Sequence, residues 1–407
     1  MVENVKELIK AHEGIEYEVY LDNENSTKVP YEIIEEMLPY YNKQGYGNPT
    51  LTHKPGWEAF EIIMQSAQKI AKFMGAGIPE EITFTPGVTE ANNLAIMGLA
   101  LSKRNTRKRI VISEIEPLSV LHVSKMLEKF GFFVSKIQVD DEGFINLEKL
   151  KETVNRDVCL VSLATVNNEI GTIQPIKEAV EIVKDINADT IFHTDASDAF
   201  GRIELNVQNL NVDLASISSY KILGPRGIGA LYTKEGLEIE RILEGQIGTQ
   251  KLWPGIENTP LIVGFTKASE LTFQNFENKI KNITGLRDKL KEGIFERVSD
   301  VKLNGPGNEK RSPDNLNISI LRCEGEALTI ELSLRGVYVS SGSACSRRLL
   351  QPSHVLVAIG RKFSEAHGSI LMKITRTHKK EDVDYVLEQV PKAVNRIRGI
   401  VGSTGVD

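Results

Sequence analysis

A chain of 407 residues with 41% hydrophobic and 26% charged content is long enough for two domains with a buried core, which excludes a disordered or fibrous protein. The 49 Lys+Arg against 55 Asp+Glu leave a net charge of −6, which argues against a stable nucleic-acid binder, because neutralising phosphates takes clustered positive charge. No run approaches the roughly 20 apolar residues of a membrane span, and Met1-Val-Glu-Asn-Val-Lys lacks the basic start and apolar core of a signal peptide, so a cytoplasmic protein without membrane contact is expected.

The first predicted element is a helix around Glu3–Lys10, expected to pack on a C-terminal domain. Short β-branched runs then alternate with helical stretches. The strands are expected at Ile82–Phe84, Arg109–Ser113, Phe132–Ile137, Cys159–Leu163, Thr190–His193, Leu214–Ile217 and Ile228–Tyr232, and helices such as Ile176–Asp185 lie between them. This alternation predicts an α/β fold with a mostly parallel sheet between helices and ligands at the carboxyl ends of its strands. After Gly264–Thr272 a long charged helical region runs to about Asp300. Strands at Asn317–Ile320 and Ile370–Ile374 and a helix containing Glu381–Val390 complete a smaller α+β unit. The expected division is a large domain over 20–270, with 1–19 and 271–407 forming the small domain.

Chemistry-bearing residues fall at the ends of these strands. Thr85-Pro-Gly-Val-Thr89 passes from strand to helix, so N–H groups at Val88 and Thr89 are placed to bind a phosphate at a helix N-terminus. Asn168 and Asp195 follow two further strands. Ser218 and Lys221 stand in Ser218-Ser-Tyr-Lys-Ile-Leu-Gly-Pro-Arg-Gly227. Each alone has an ordinary explanation: a helix cap, a turn asparagine or a solvated lysine. Together, a lysine to form an imine and a carboxylate to keep a pyridinium ring cationic are the minimum chemistry of a pyridoxal 5′-phosphate (PLP) enzyme. The three cysteines include no CxxC pair. Cys159 and Cys323 sit in contexts that read as structural. Cys345, in Ser340-Ser-Gly-Ser-Ala-Cys-Ser-Arg-Arg348, has the polar, cation-flanked setting that favours a reactive thiolate. The seven histidines offer no pair at one-turn spacing, so no metal centre is expected.

Tyr20-Leu-Asp-Asn23, Tyr46-Gly-Asn-Pro49, Gly87-Val-Thr-Glu-Ala-Asn-Asn93, Asn167-Asn-Glu-Ile-Gly171, His193-Thr-Asp-Ala196, the Lys221 segment and Ser340–Cys345 together resemble a NifS/IscS-like cysteine desulfurase. That group lies within the class-V aminotransferases of PLP fold type I. The resemblance implies a homodimer in which Lys221 binds PLP and moves the α-proton of L-cysteine. Cys345 would take the sulfur as a persulfide, release L-alanine and deliver the sulfur to an iron–sulfur scaffold or another acceptor. Val88, Thr89, Asn168, Asp195, Asp198, Ser218, Tyr220 and Lys221 are the implied cofactor contacts, with Asn168 also facing substrate.

The chain departs from that pattern. Pro117 stands where the family has a ring-stacking histidine, Tyr220 stands beside the lysine where another histidine is usual, and Ile256 replaces a phosphate-binding threonine. Asp198 replaces a glutamine that donates to the cofactor, so it must be protonated, turned away or tuning the cofactor differently. Leu371 stands where an arginine binds the substrate carboxylate, which leaves Lys373 and Arg376 as candidates for that task. Two rival readings follow: a desulfurase-like scaffold partner with weak or no cysteine turnover, or a PLP lyase acting on a related sulfur or selenium amino acid.

Overall fold

The computed structural model describes residues 6–7, 9–102, 105–307, 309–341 and 352–403, with side chains described as far as residue 400. The chain enters on a short strand β1 (Val19–Tyr20), and a loop over residues 21–30 leads on to a long helix α1 (Lys54–Met74). A seven-stranded sheet follows: β2 (Ile82–Thr85), β3 (Arg109–Ser113), β4 (Phe133–Ile137), β5 (Val158–Ser162), β6 (Ile191–Asp195), β7 (Leu214–Ser218) and β8 (Gly229–Thr233), in the order β2-β8-β7-β6-β5-β3-β4. Strands β4, β3, β5, β6 and β7 are mutually parallel, and β8 runs against both its neighbours. Each predicted run lies on one of these strands. Strands β5, β7 and β8 are buried along their whole length, as strands covered by helices on both faces must be. Their apolar side chains feed two cores, one with Phe192, Ile217 and Phe265 and the other with Leu94, Ile110 and Leu160.

The charged helical region expected between Thr272 and about Asp300 is one helix, separated by a short break from the helix before it. Helix α6 (Thr259–Phe273) packs Ile262, Phe265 and Ala268 into the first core, while α7 (Phe276–Arg297) gives Leu286, Leu290 and Ile294 to a different one. Between them Asn275 adopts φ 54°, a left-handed conformation that asparagine tolerates and most residues do not. Charge pattern alone does not reveal that break, because both flanks have helical composition. The intervening helices of the large sheet include α2 (Val88–Ala100), α3 (Leu118–Leu127), α4 (Leu147–Thr153) and α5 (Ile176–Ile186).

Beyond α7 lies an antiparallel sheet of β9 (Val301–Leu303), β10 (Asn315–Ile320), β12 (Ser340–Ser341) and β13 (Ser369–Lys373), ordered β12-β13-β10-β9. It packs on α7, α8 (Gly325–Ser333) and α9 (Lys380–Ser403). Val19 and Leu21 join this second core, and β1 pairs in parallel with β11 (Val337–Tyr338). His12 reaches Ser333 Oγ at 2.8 Å. The loop leaving β1 is thereby carried from the small unit across to the carboxyl ends of β6 and β7. Among the described residues no helix is long and apolar enough to cross a membrane.

Candidate active site

Parallel strands β6 and β7 end side by side, Asp195 opposite Ser216, so the segments that follow them share one edge of the sheet. Asp195 is the last residue of β6 and is buried. Asn92 Nδ2 donates to its Oδ2 at 2.7 Å, Ser197 N donates to Oδ1 at 3.0 Å, and the Ser197 hydroxyl donates to the same oxygen. Burial raises the Asp195 carboxyl above its ordinary range, these donors oppose the rise, and nearby Asp198 adds to it. A cation seated against Asp195 would relieve that cost, which is what a protonated pyridine nitrogen offers.

The phosphate end is equally legible. Gly87 opens α2 in extended backbone, with no side chain capping that end, so the orphan N–H groups of Val88 and Thr89 stay available there. A Cβ on Gly229, the partner of Ser218 across β7 and β8, would lie 2.8 Å from the Gly87 carbonyl carbon, so the strand end and the helix start approach as closely as backbone allows. The Ser218 hydroxyl is buried at this junction without a hydrogen-bond partner. An unsatisfied buried hydroxyl beside a helix N-terminus suits an anion. The residues present therefore fit PLP at both ends.

Lys221 stands three residues past β7 in a short 3-10 turn, closed by Leu223 at φ 67°. Its ammonium lies 3.0 Å from Asp198 Oδ2 and bonds Glu24 Oε1. Lys373, on β13 of the small unit, faces the same two carboxylates: its ammonium lies 2.6 Å from Glu24 Oε2 as an ion pair and bonds Asp198 Oδ1. Two lysines and two acids thus form a closed ring of alternating charge, with both lysines and Asp198 nearly inaccessible to water. Pairing is the condition on which such groups tolerate burial. Burial works against the Lys221 ammonium, but Asp198 and Glu24 outweigh it and raise the group well above its ordinary value. Burial likewise pushes Asp198 up, but Lys221, Lys373 and Arg202 override it and hold the carboxyl below the usual range. Of the three alternatives raised for Asp198, the geometry bears on one: the carboxyl faces Lys221 and Lys373, whose charges favour its carboxylate form.

Asn168 Nδ2 donates to Glu24 Oε1 at 3.0 Å, which brings it to the same cluster. Tyr220 lies alongside, its ring centroid 5.4 Å from Lys221 Nζ, and burial pushes its hydroxyl up to about 12. Arg376 is directed elsewhere: its Nη1 donates to Ile222 O at 2.7 Å and Thr272 Oγ1 at 3.2 Å, bonding the small unit to the large one. Ile256 is exposed. Cys159 and Cys323 are both buried, in keeping with structural roles. Cys345 lies outside the described residues. Of the residues flanking it, Ser340 pairs with Leu371 on β13, and Ser353 Oγ donates to Glu169 Oε2 at 2.6 Å beside Asn168.

Burial pushes Glu169 up to about 8, only partly opposed by Ser353. From about pH 4.3, the unfolded value, up to about 8, the folded chain therefore holds one proton more here than the unfolded chain. Stability accordingly falls as pH rises through that window. Glu169→Gln is expected to flatten the fall, and melting curves collected from acid to mildly alkaline pH check it.

Glu24 is the member of this ring of charges that sequence reasoning missed. Its only signal is a charge directly after the Tyr20–Asn23 motif, and nothing in that motif says which lysine it meets. The family model for aminotransferase class-V matches residues 19–386. A cysteine desulfurase IscS from Dictyoglomus turgidum is 42% identical over 383 residues, covering 94% of this chain and 96% of its own length. Among solved structures, a NifS-like protein superimposes with a TM-score of 0.87 at 33% identity, covering 93% of this chain and all of that one. SspA in complex with cysteine gives 0.76 at 30% identity, covering 88% of this chain and 99% of that one. With that sheet edge and those relatives in agreement, the chain belongs to the class-V aminotransferase family, in its NifS/IscS-like cysteine desulfurase group, and its cofactor is pyridoxal 5′-phosphate.

Proposed function

We propose that the chain is a cysteine desulfurase that converts L-cysteine to L-alanine, holds the sulfur as a persulfide on Cys345, and passes it to an iron–sulfur scaffold or a thiolation acceptor. The observation that carries the reading is Lys221, buried at the end of β7 between two carboxylates, with Asp195 on one side and the unpartnered Ser218 hydroxyl on the other. Pyridoxal 5′-phosphate, when bound, supplies an aldehyde for an amine and an electron sink for the substrate carbon. Val88, Thr89 and Ser218 would hold its phosphate and Asp195 its ring nitrogen, with Asn168, Asp198 and Tyr220 lining the side nearest Lys221.

Lys221 would hold the cofactor and, with substrate in place, move the α-proton. The Cys345 thiolate attacks the substrate sulfur, an S–S bond forms as the C–S bond breaks, and the carbon takes a proton to become the methyl group of alanine. Lys373 is the cation for the substrate carboxylate, since it shares the ring of charges around Lys221 while Arg376 is spent on Ile222 and Thr272. We also infer a homodimer. Trp57 and Phe60, one turn apart at the start of α1, are exposed together with Tyr46 and Leu51, the kind of apolar group that a partner covers.

A second reading, a scaffold partner with little turnover, has a specific observation in its favour. Leu371 offers no charge, and Lys373 is already engaged by Asp198 and Glu24. Alanine release from cysteine decides between the two. The first reading expects alanine from the wild type and none above background from Cys345→Ser; a colourless protein that releases none and still co-purifies with an iron–sulfur scaffold supports the second, and a yellow protein that releases none supports a PLP lyase acting on another amino acid.

A further inference from the structure

Glu24 reaches Lys221 from a distant part of the chain, and the loop that carries it is fastened on both flanks. Asn23 Nδ2 donates to Tyr20 O and to Lys373 O, each at 2.9 Å. Thr27 Oγ1 donates to Tyr220 O at 2.8 Å, beside Lys221 itself, and Arg226 Nη1 donates to Ser26 Oγ at 3.0 Å. The bonds on the Asn23 side run to the small unit and those on the Thr27 side to the large one, so the Glu24 carboxylate is held over the amine by both. A surface loop that happened to meet a lysine would need neither fastening.

Lys221 is no nucleophile while it is an ammonium, and its neighbours hold it in that form. Every charged or titratable group that faces it must therefore be considered as the acceptor of its proton. Lys373 from β13 is a cation, as is Arg202, which donates to Lys221 O at 2.6 Å. Arg202 is itself paired with Asp314 and has no spare acceptor. The Tyr220 hydroxyl is kept protonated by burial. Asp198 faces both lysines as Glu24 does, but Arg202 also helps to hold it as a carboxylate, which makes it the poorer base of the two. Glu24 remains. Its side chain keeps 12% of its surface, against 3% for Asp198, so it is the member of the ring with most access to solvent.

We infer that Glu24 is a catalytic base for Lys221: it takes the ammonium proton when this lysine condenses with the aldehyde of the cofactor, and returns it to the departing oxygen. The step balances. The ammonium gives one proton to Glu24, and the free amine adds to the carbonyl carbon as a C–N bond forms. The carbonyl oxygen takes up the proton shed by nitrogen and the proton held by Glu24, and it leaves as water. A C=N bond remains, with its nitrogen protonated and facing the regenerated Glu24 carboxylate. No oxidant or reductant is involved. The inference rests on the proposed attachment of PLP at Lys221 and adds a residue to it.

The test adds pyridoxal 5′-phosphate to the cofactor-free protein and follows the growth of the visible band over a range of pH. Borohydride reduction and peptide mass then establish that Lys221 is the modified residue. Glu24→Gln is expected to slow the band's appearance near neutral pH by at least about tenfold, with the rate recovering as the pH rises. Glu24→Ala is expected to be as slow and to be accelerated by added formate, which supplies the missing carboxylate in a protein that is already folded. A Glu24→Gln rate within about twofold of wild type with the same pH profile overturns the inference, as does a slow Glu24→Ala that formate leaves unchanged. A wild type with no visible band and no reduced adduct at Lys221 overturns the attachment itself, an outcome distinct from a wild type that loads normally and a variant indifferent to formate.

Discussion

Lys221→Ala is expected to lose the borohydride-sensitive visible band and to lower alanine release from cysteine by about 10³-fold or more, since the same nitrogen both tethers the cofactor and moves the α-proton. Absorption spectra and alanine quantitation check it. The loss extends to the protein without cofactor. Removing the ammonium leaves Asp198 and Glu24 with Lys373 as their one lysine partner. Breaking a buried pair by deleting one member costs about 3–5 kcal/mol, more than the pair contributes over an apolar replacement. Denaturant unfolding of the cofactor-free variant measures this. A variant that kept the band, or turned over cysteine at the wild-type rate, would remove Lys221 from the centre of the chemistry.

Lys373→Ala carries the second large effect, in two separable readouts. Losing a charge-assisted contact worth about 1.5–3 kcal/mol is expected to raise KM for cysteine by about 10–100-fold, whereas Arg376→Ala, which removes bonds to Ile222 and Thr272, leaves KM near wild type. Equal KM changes in both variants would show that Lys373 has no special claim on the substrate carboxylate. The second readout is stability without substrate, expected to fall by about 3–5 kcal/mol because Asp198 keeps its burial and loses half its lysine partners. The pH dependence gives the sign. Asp198 is held below its unfolded value of about 3.9, so its stabilisation is present above that pH and is lost as the pH falls toward the folded value. Without Lys373 the folded carboxyl titrates higher. The wild type should thus lose stability steeply on acidification, while the variant, already weakened at neutral pH, should show a shallower acid limb.

The site has a division of labour that follows from where its parts come from. Asp195, Ser218 and Lys221 stand on or directly after neighbouring strands of one sheet, so their spacing is set by the strand separation and little else. Lys373 and Glu24 arrive from the small unit, and their positions depend on how its sheet and the β1 loop dock on the large one. Substitutions in the first group should act on cofactor attachment. Those in the second should act on charge balance, substrate affinity and the rate of loading.

Much of this was determined by sequence alone. The short apolar runs of β2, β5, β7 and β8 read as buried strands, and the alternation of strands with helices dictates the layered sheet and its ligand edge. Lys221, Asp195, Ser218 and the turn at Gly87–Thr89 were legible because local strand-to-helix geometry places them. The break at Asn275 was not, because a single left-handed residue between two helical stretches leaves no trace in composition. Nor was the ring of four charges. Glu24 lies 197 residues from Lys221, and Lys373 lies 175 from Asp198. Lys373 was expected to face an anionic substrate, and Asp198 had three open possibilities. Only the tertiary structure decided that these groups meet, because the free energy of a buried charge depends on which partners the fold brings within contact, and local sequence carries no record of that distance.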